Sequence, residues 1–190
     1  MQHVTIVGFR KALGTSITIP MEMLNAADLI QRIAGQGAAR LQMQLAGVEP
    51  GNIALNAGLE LVCKQTLNDI TKTDLIIVPA LWGNPSGICK QYPALLEWLR
   101  FHLEKDTRIC AVGTGSFFLA EAGLLRHKVA TTHWYYFDHF AEAYPDVHLQ
   151  RERFITRAGN IYCAGSVNSV RDVMLHFIEE AFSAEVANQV

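Results

Sequence analysis

The chain has 190 residues, of which 50% are hydrophobic and 18% are charged, and its formal net charge is -2. This length is sufficient for one domain with a substantial core and does not require a second. The charge balance argues against DNA binding by this chain alone, because duplex affinity comes largely from clustered Lys and Arg side chains.

The composition also bears on the compartment and on metal binding. No apolar run approaches the roughly 20 residues that a membrane-spanning helix needs, and the N-terminus lacks the basic and longer apolar segments of a secretory signal. Neither the histidines nor the four cysteines have the spacing of metal ligands. We therefore expect a cytoplasmic protein without metal or cofactor, in which Cys63, Cys89, Cys110 and Cys163 remain thiols.

Short apolar runs alternate with amphipathic segments along the chain. Strands are predicted near 3–8, 39–46, 74–79, 107–112 and 161–164, and helices near 20–35, 91–104, 114–123, 133–142 and 166–183. Residues 47–65 and 147–160 are predicted to form shorter hairpins or connections. This alternation favours an α/β fold, with a mainly parallel sheet and helices on both faces.

One stretch combines a buried strand, a tight turn and a helix. The apolar run 108–112 is interrupted by Gly113-Thr114-Gly115, and residues 116–125 carry apolar side chains at helical spacing, closed by Gly123. In hydrolases, such a strand-turn-helix presents a nucleophile at its apex, which here is Gly113. Gly113 has no side chain that could attack a substrate, although the turn could still bind a polar or anionic group. The alternative is an ordinary turn glycine.

Three glycine-containing segments follow predicted strands: Gly8-Phe9-Arg10, Pro79-Ala80-Leu81-Trp82-Gly83 and Gly113-Thr114-Gly115. Ligands of open parallel sheets bind beyond the carboxyl ends of the strands. The three segments are therefore predicted to line one pocket.

Together these motifs resemble the PfpI-type, class I glutamine-amidotransferase-like domain, in the version found at the N-terminus of AraC-type transcriptional regulators. The resemblance covers most of the chain and implies a three-layer flavodoxin-like sandwich. The segments that carry it are 3–8, Ile19-Pro20-Met21-Glu22-Met23-Leu24, 74–83, the 110–118 turn, Leu119-Ala120-Glu121-Ala122-Gly123-Leu124-Leu125, Ala130-Thr131-Thr132-His133-Trp134 and Asp172-Val173-Met174-Leu175-His176.

The sequence departs from the enzymes of this superfamily at two positions. The enzymes have a cysteine at the turn, where this chain has Gly113, and commonly an acidic residue a few positions before the proline of the first helix, where this chain has Ser16. The resemblance therefore implies a degenerate site without catalytic residues. Its candidate ligand-binding residues are Ser16, Trp82, Gly83, Gly113, Thr114, Gly115 and His133.

Several of these residues also have purely structural interpretations. His133 either contacts a ligand or starts a helix, and the second is favoured because there is no thiol for it to activate. Trp82 either stacks on a flat ligand or packs against a loop. Glu22 is predicted to lie in the first helical turn, where its negative charge would interact favourably with the helix dipole. This structural role is at least as well supported as a role in a pocket. Cys110 is interpreted as a core residue, like Cys163, and not as a displaced nucleophile.

Two functional hypotheses follow. The first is a sensory domain of a regulator, which forms a homodimer, binds a small-molecule effector and reaches DNA only through a C-terminal helix-turn-helix module outside this chain. The second is a stand-alone hydrolase, hydratase or glyoxalase-like enzyme that uses Thr114 or Ser116 as its nucleophile, with His133 as the base. Residues 177–190 are predicted to form a helix that stops without a cap or a terminal glycine, which suggests a boundary within a longer protein or a natural frayed end.

Overall fold

The computed structural model describes residues 1–35 and 40–190. The strands are β1 His3–Gly8, β2 Gln42–Gly47, β3 Gly51–Ala54, β4 Glu60–Cys63, β5 Gln65–Thr66, β6 Leu75–Val78, β7 Arg108–Val112, β8 Val129–Ala130, β9 His148–Leu149, β10 Ile155–Ala158 and β11 Ile161–Ala164. The helices are α1 Thr15–Ile33, α2 Pro85–Cys89, α3 Pro93–Glu104, α4 Ser116–Glu121, α5 Phe137–Ala143, α6 Ser169–Ala181 and α7 Ala184–Ala187.

A seven-stranded sheet in the order β10-β11-β7-β6-β1-β2-β5 forms the centre of the molecule. Its strands pair in parallel except for β10, which runs antiparallel to β11. Every residue of β6 is fully buried, so helices cover both faces of the sheet. Helix α1 packs on α6, and α4 packs against α2 and α3. This architecture confirms the predicted flavodoxin-like α/β fold.

The predicted elements agree with the structure in the centre of the sheet and less well at its edges. Strand β1 has the predicted bounds, and β6, β7 and β11 differ by one residue or less at each end. The predicted strand 39–46 corresponds to β2, which begins at Gln42, and residue 39 lies outside the described residues. The predicted short pieces are the hairpin β3–β4 and the strands β9 and β10.

The first helix begins earlier than predicted. It starts at Thr15, and Pro20 lies inside it instead of opening it. An internal proline lacks the N–H that would bond to the carbonyl of Ser16 and costs roughly 3 kcal/mol in an isolated helix. The helix tolerates this cost because burial of its apolar face stabilises it. Among the buried residues of that face are Ile17, Pro20, Leu24 and Ala27.

The role expected for Glu22 in the first turn is therefore wrong. The first turn of α1 contains no acidic residue, and Glu22 lies further along the helix on its exposed side. A side chain there is outside the range of the N-terminal dipole.

The C-terminal segment also differs from its prediction. Helix α6 ends at Ala181, and a second short helix follows after Ser183. The Ser183 hydroxyl accepts a hydrogen bond from the Val186 amide at 3.2 Å and so caps the start of this second helix, where the prediction had one continuous helix. None of the helices within residues 1–35 and 40–190 is long and apolar enough to cross a membrane.

Candidate functional site

The turn after β7 has the geometry of a nucleophile elbow without a nucleophile. Residues Gly113–Gly115 form a buried helical turn that leads directly into α4, and Gly113 has a φ of +50°. A Cβ on Gly113 would lie 3.5 Å from the Ala80 Cβ and 3.8 Å from the His133 Cβ, which are ordinary van der Waals distances. Space for a small side chain is therefore present at the apex, but the side chain is absent.

Gly115 has the opposite environment. A Cβ at this position would lie 2.5 Å from the Val78 carbonyl oxygen and 2.7 Å from that of Pro79. The start of α4 therefore approaches the end of β6 so closely that only glycine fits. This contact fixes the elbow against the neighbouring strand.

The hydroxyl groups at the elbow bond to the backbone. Thr114 Oγ1 accepts from the Leu81 amide and donates to the Leu81 carbonyl, both at 2.8 Å. Ser116 Oγ donates to the Gly113 carbonyl at 3.0 Å. Both residues are buried, and neither hydroxyl has a hydrogen bond to His133 among the described contacts. The base that a serine or threonine nucleophile requires is therefore not engaged with either of them.

Ser16 fixes a second loop. Its hydroxyl donates to the Leu13 carbonyl at 2.6 Å and accepts from the Ala80 amide at 3.0 Å. The Leu13 amide also donates to the Ala80 carbonyl at 2.8 Å. At the position where the resemblance implied an acidic residue in related enzymes, this chain thus has a fully buried hydroxyl that joins the β1–α1 loop to the segment after β6.

His133 caps the helical turn Trp134–Tyr136. Its Nδ1 accepts a hydrogen bond from the Tyr135 amide at 3.4 Å, which is the helix-start position expected from the sequence. Partial burial lowers the pKa of His133 below its ordinary value, because desolvation penalises the imidazolium. A neutral imidazole therefore lies beside the elbow at neutral pH.

Trp82 and Gly83 lie at the rim of the site. The Trp82 side chain is 52% exposed, and its amide donates to the Lys11 carbonyl at 3.1 Å. Gly83 has a φ of +100°, and its carbonyl accepts from the Tyr136 hydroxyl at 2.9 Å. This bond joins the segment after β6 to the turn that His133 caps.

The structure places the three predicted segments at one edge of the sheet, but Gly8, Phe9 and Arg10 line a cleft that includes no residue of 79–83 or 113–115. The prediction that all three line one pocket is therefore wrong.

Ser16 is bonded to Ala80, which lies beside Gly113, and His133 lies on another side of Gly113. Thr114 is bonded to Leu81, the residue before Trp82. Sequence reasoning missed the roles of Thr132, whose hydroxyl donates to the Gly113 carbonyl at 3.2 Å, and of Tyr136. Thr132 precedes His133 in the motif that carried the resemblance, which was the available signal.

The cysteines near the elbow are core residues. Cys110 lies inside β7 and is fully buried, and burial raises the pKa of its thiol. Burial likewise raises the pKa of Cys163 to about 12. Thiols that are protonated and covered in this way are poor nucleophiles. Within residues 1–35 and 40–190, no three His, Cys, Asp or Glu side chains are grouped so that they could hold a metal ion.

Residues 3–180 match the family model of the DJ-1/PfpI family. The chain therefore belongs to the DJ-1/PfpI family.

Two curated relatives and one solved structure illustrate what it is similar to. The HTH-type transcriptional regulator CdhR of Pseudomonas aeruginosa is 32% identical over 160 residues, which cover 84% of this chain and 46% of that protein. The isonitrile hydratase of Pseudomonas putida is 30% identical over 140 residues, 73% of this chain and 58% of that protein. The crystal structure of an AraC family transcriptional regulator from Pseudomonas putida superposes with a TM-score of 0.83 at 20% identity, covering 100% of this chain and 97% of that one. The chain spans about half the length of these two curated relatives.

Proposed function

We propose that this chain is a non-catalytic sensory and dimerisation domain of an AraC-type transcriptional regulator, which binds a small metabolite beside the degenerate elbow. The observation that carries the proposal is Gly113, because it occupies the apex of the turn with the required backbone conformation and no side chain. A covalent intermediate cannot form at that position.

The hydrogen bonds of the neighbouring hydroxyls support the same conclusion. The hydroxyls of Thr114 and Ser116 are hydrogen-bonded to backbone groups. If either hydroxyl acted as the nucleophile in place of a thiol, it would have to break its buried hydrogen bond. Loss of such a contact leaves a buried polar group unsatisfied, at a cost of roughly 1–3 kcal/mol. These hydroxyls hold the elbow in shape and are not available for attack.

In this proposal the candidate residues have two kinds of role. Ser16, Thr114 and Gly115 hold the loops in place through buried contacts. Gly113 leaves the space that the effector enters, while the partly exposed Trp82 and His133 flank it. Gly83 sets the position of the rim.

The similarity to an isonitrile hydratase favours a second candidate, a stand-alone enzyme of the same family. Such an enzyme would need an unconventional nucleophile, since all four cysteines are buried. Absence of turnover by the wild type would contradict this candidate. If the wild type shows turnover, its loss in a Thr114→Val, Ser116→Ala double variant with native circular dichroism would assign the nucleophile to one of these hydroxyls, and its persistence would exclude both as the nucleophile.

The sensing site can be tested with two substitutions at one position. Gly113→Ala and Gly113→Leu carry a similar conformational cost at a φ of +50°, but only leucine fills the space beside Ala80 and His133. A metabolite that raises the melting temperature of the wild type should still do so in Gly113→Ala and fail in Gly113→Leu and Trp82→Ala. Unchanged stabilisation in well-folded Gly113→Leu and Trp82→Ala would place the site elsewhere.

The regulatory context requires a dimer and a DNA-binding module. The net charge of -2 leaves DNA binding to a helix-turn-helix module, which we propose follows Val190 in the full-length protein. The nucleotide sequence downstream of the Val190 codon tests whether the gene encodes this module.

The proposed dimer needs a surface through which two copies can associate. Exposed aromatic side chains such as Trp134, Tyr135 and Phe154 supply apolar surface of the kind that a partner covers. Sedimentation that finds only monomer at tens of micromolar, roughly where weak specific dimers form, would contradict the dimer.

A further inference from the structure

A cleft separate from the elbow lies at the carboxyl ends of β1 and β2 and contains none of the elbow residues. It has a volume of about 190 Å³, and its lining includes Phe9, Arg10, Glu49, Asn52, Gln91 and Tyr92. Pockets for drug-sized ligands occupy roughly 300–1,000 Å³. This cleft therefore suits a ligand of only a few heavy atoms.

The wall of the cleft depends on two glycines that pair across the sheet. Gly8 lies opposite Gly47 in the register of β1 and β2. A Cβ on Gly8 would lie 2.7 Å from Cys63 Sγ, and a Cβ on Gly47 would lie 2.4 Å from the Glu49 carbonyl oxygen. Because both positions lack a side chain, the β3–β4 hairpin and the turn before it close over the end of the sheet.

Two opposite charges line this cleft without pairing to each other. Arg10 and Glu49 are both exposed, and none of the ion pairs within 4.0 Å in the described part of the chain includes either of them. Unpaired charges of opposite sign in one cleft provide complementary partners for both ends of a ligand.

The Tyr92 side chain lines the same cleft as both charges. Burial has the largest influence on the pKa of Tyr92 and raises it, the backbone amide and the guanidinium of Arg10 lower it, and the Glu49 carboxylate raises it. The rings of Tyr92 and Phe9, whose centroids are 6.0 Å apart, give the cleft an apolar side. A few charged groups together with an aromatic surface are typical of a small-molecule site.

We propose that this cleft binds a small zwitterionic molecule, with the anionic group on Arg10 and the cationic group on Glu49. A carboxylate accepts paired hydrogen bonds from a guanidinium, and an ammonium group donates to a carboxylate. The site goes beyond the function proposed for the elbow, because the ligand touches neither Gly113 nor His133.

A series of ω-amino acids tests this assignment by calorimetric titration. Glycine, β-alanine, γ-aminobutyrate and 5-aminovalerate carry the same two charges at increasing separation, and one length should bind best. Arg10→Gln and Glu49→Gln should each weaken that binding about tenfold or more, because each removes one of two charged contacts. Lys11→Gln, which removes an exposed neighbouring cation that does not line the cleft, should leave the affinity unchanged.

Butyrate and butylamine serve as matched ligands with only one charge, and both should bind at least about tenfold more weakly than the best amino acid. Absence of binding by the whole series at about 10 mM would overturn the proposal, as would equal binding of a singly charged ligand or insensitivity to either substitution. A well-folded Gly113→Leu variant should retain this binding. Failure of the cleft is therefore distinguishable from failure of the elbow site.

Discussion

The elbow and the cleft lie at the same edge of the sheet, but their polar groups are used in opposite ways. At the elbow, the hydroxyls of Ser16 and Thr114 are buried and bonded to backbone atoms. In the cleft, the charges of Arg10 and Glu49 remain exposed and have no ion-pair partner among the described residues. The two regions are nevertheless joined in space, because the Lys11 carbonyl, next to Arg10, accepts a hydrogen bond from the Trp82 amide at 3.1 Å.

This difference suggests which contacts of a site are kept when, as proposed above, the site no longer catalyses a reaction. Contacts that position the turn, such as the Thr114–Leu81 pair and the close approach of Gly115 to Val78, also stabilise the fold. In the function proposed above, a nucleophile at the apex would contribute to chemistry alone, and glycine at position 113 avoids backbone strain of roughly 1–3 kcal/mol at a positive φ. A site without a nucleophilic side chain can therefore keep its backbone geometry.

The largest expected effect distinguishes the two glycines of the elbow. Gly115→Ala should lower the free energy of unfolding by about 3 kcal/mol or more, because its Cβ would overlap the Val78 and Pro79 carbonyl oxygens. Gly113→Ala should cost only about 1 kcal/mol, since its Cβ has room and only the positive φ is unfavourable. Urea denaturation measures both. Equal costs would contradict the account of the elbow.

A smaller effect is expected for the hydroxyl that joins the two loops. Thr114→Val keeps the shape of the side chain but leaves the Leu81 amide and carbonyl without their partner, so it should cost about 2 kcal/mol. Thr114→Ser keeps the hydroxyl and serves as the control, with a cost below about 1 kcal/mol. If valine were tolerated as well as serine, the buried bonds would not be holding the elbow.

The smallest effect concerns pH. Because the pKa of His133 is lowered in the folded state, its contribution to stability is fully present above the unfolded value of about 6.5 and is lost as the pH falls through the folded value. His133→Asn, which keeps an acceptor for the Tyr135 amide, should reduce the loss of stability between about pH 7 and 5. Thermal denaturation at several pH values measures this. A steeper loss in the variant would reverse the sign we expect.

The elbow could be predicted from the sequence because its signal is local. An apolar strand, two glycines and a helix follow one another between residues 108 and 123, and the structure places them as expected. Helix α2 had a comparable signal that was missed: Asn84 caps it and Pro85 occupies its first turn. By contrast, Pro20 misled the prediction because the tertiary packing of α1 overrides its usual position.

The cleft could be predicted only in part. Gly8-Phe9-Arg10 was expected to line a pocket shared with the elbow, and it lines a separate cleft instead. Glu49 lies in a turn that Pro50-Gly51 marks, but that signal does not show which strand end the turn approaches. Its proximity to Arg10 depends on the parallel pairing of β1 with β2, which brings the ends of two distant segments together. The pairing register of two distant strands cannot be predicted from the sequence of either strand alone.

One measurement tests the central claim, that the elbow no longer supports catalysis, most directly. Purified protein is assayed for turnover of isonitriles, amides and dicarbonyls before and after treatment with iodoacetamide. We expect no thiol-dependent turnover, because Gly113 has no side chain and all four cysteines are buried. Turnover at roughly 1 per second or faster that iodoacetamide abolishes would contradict the account.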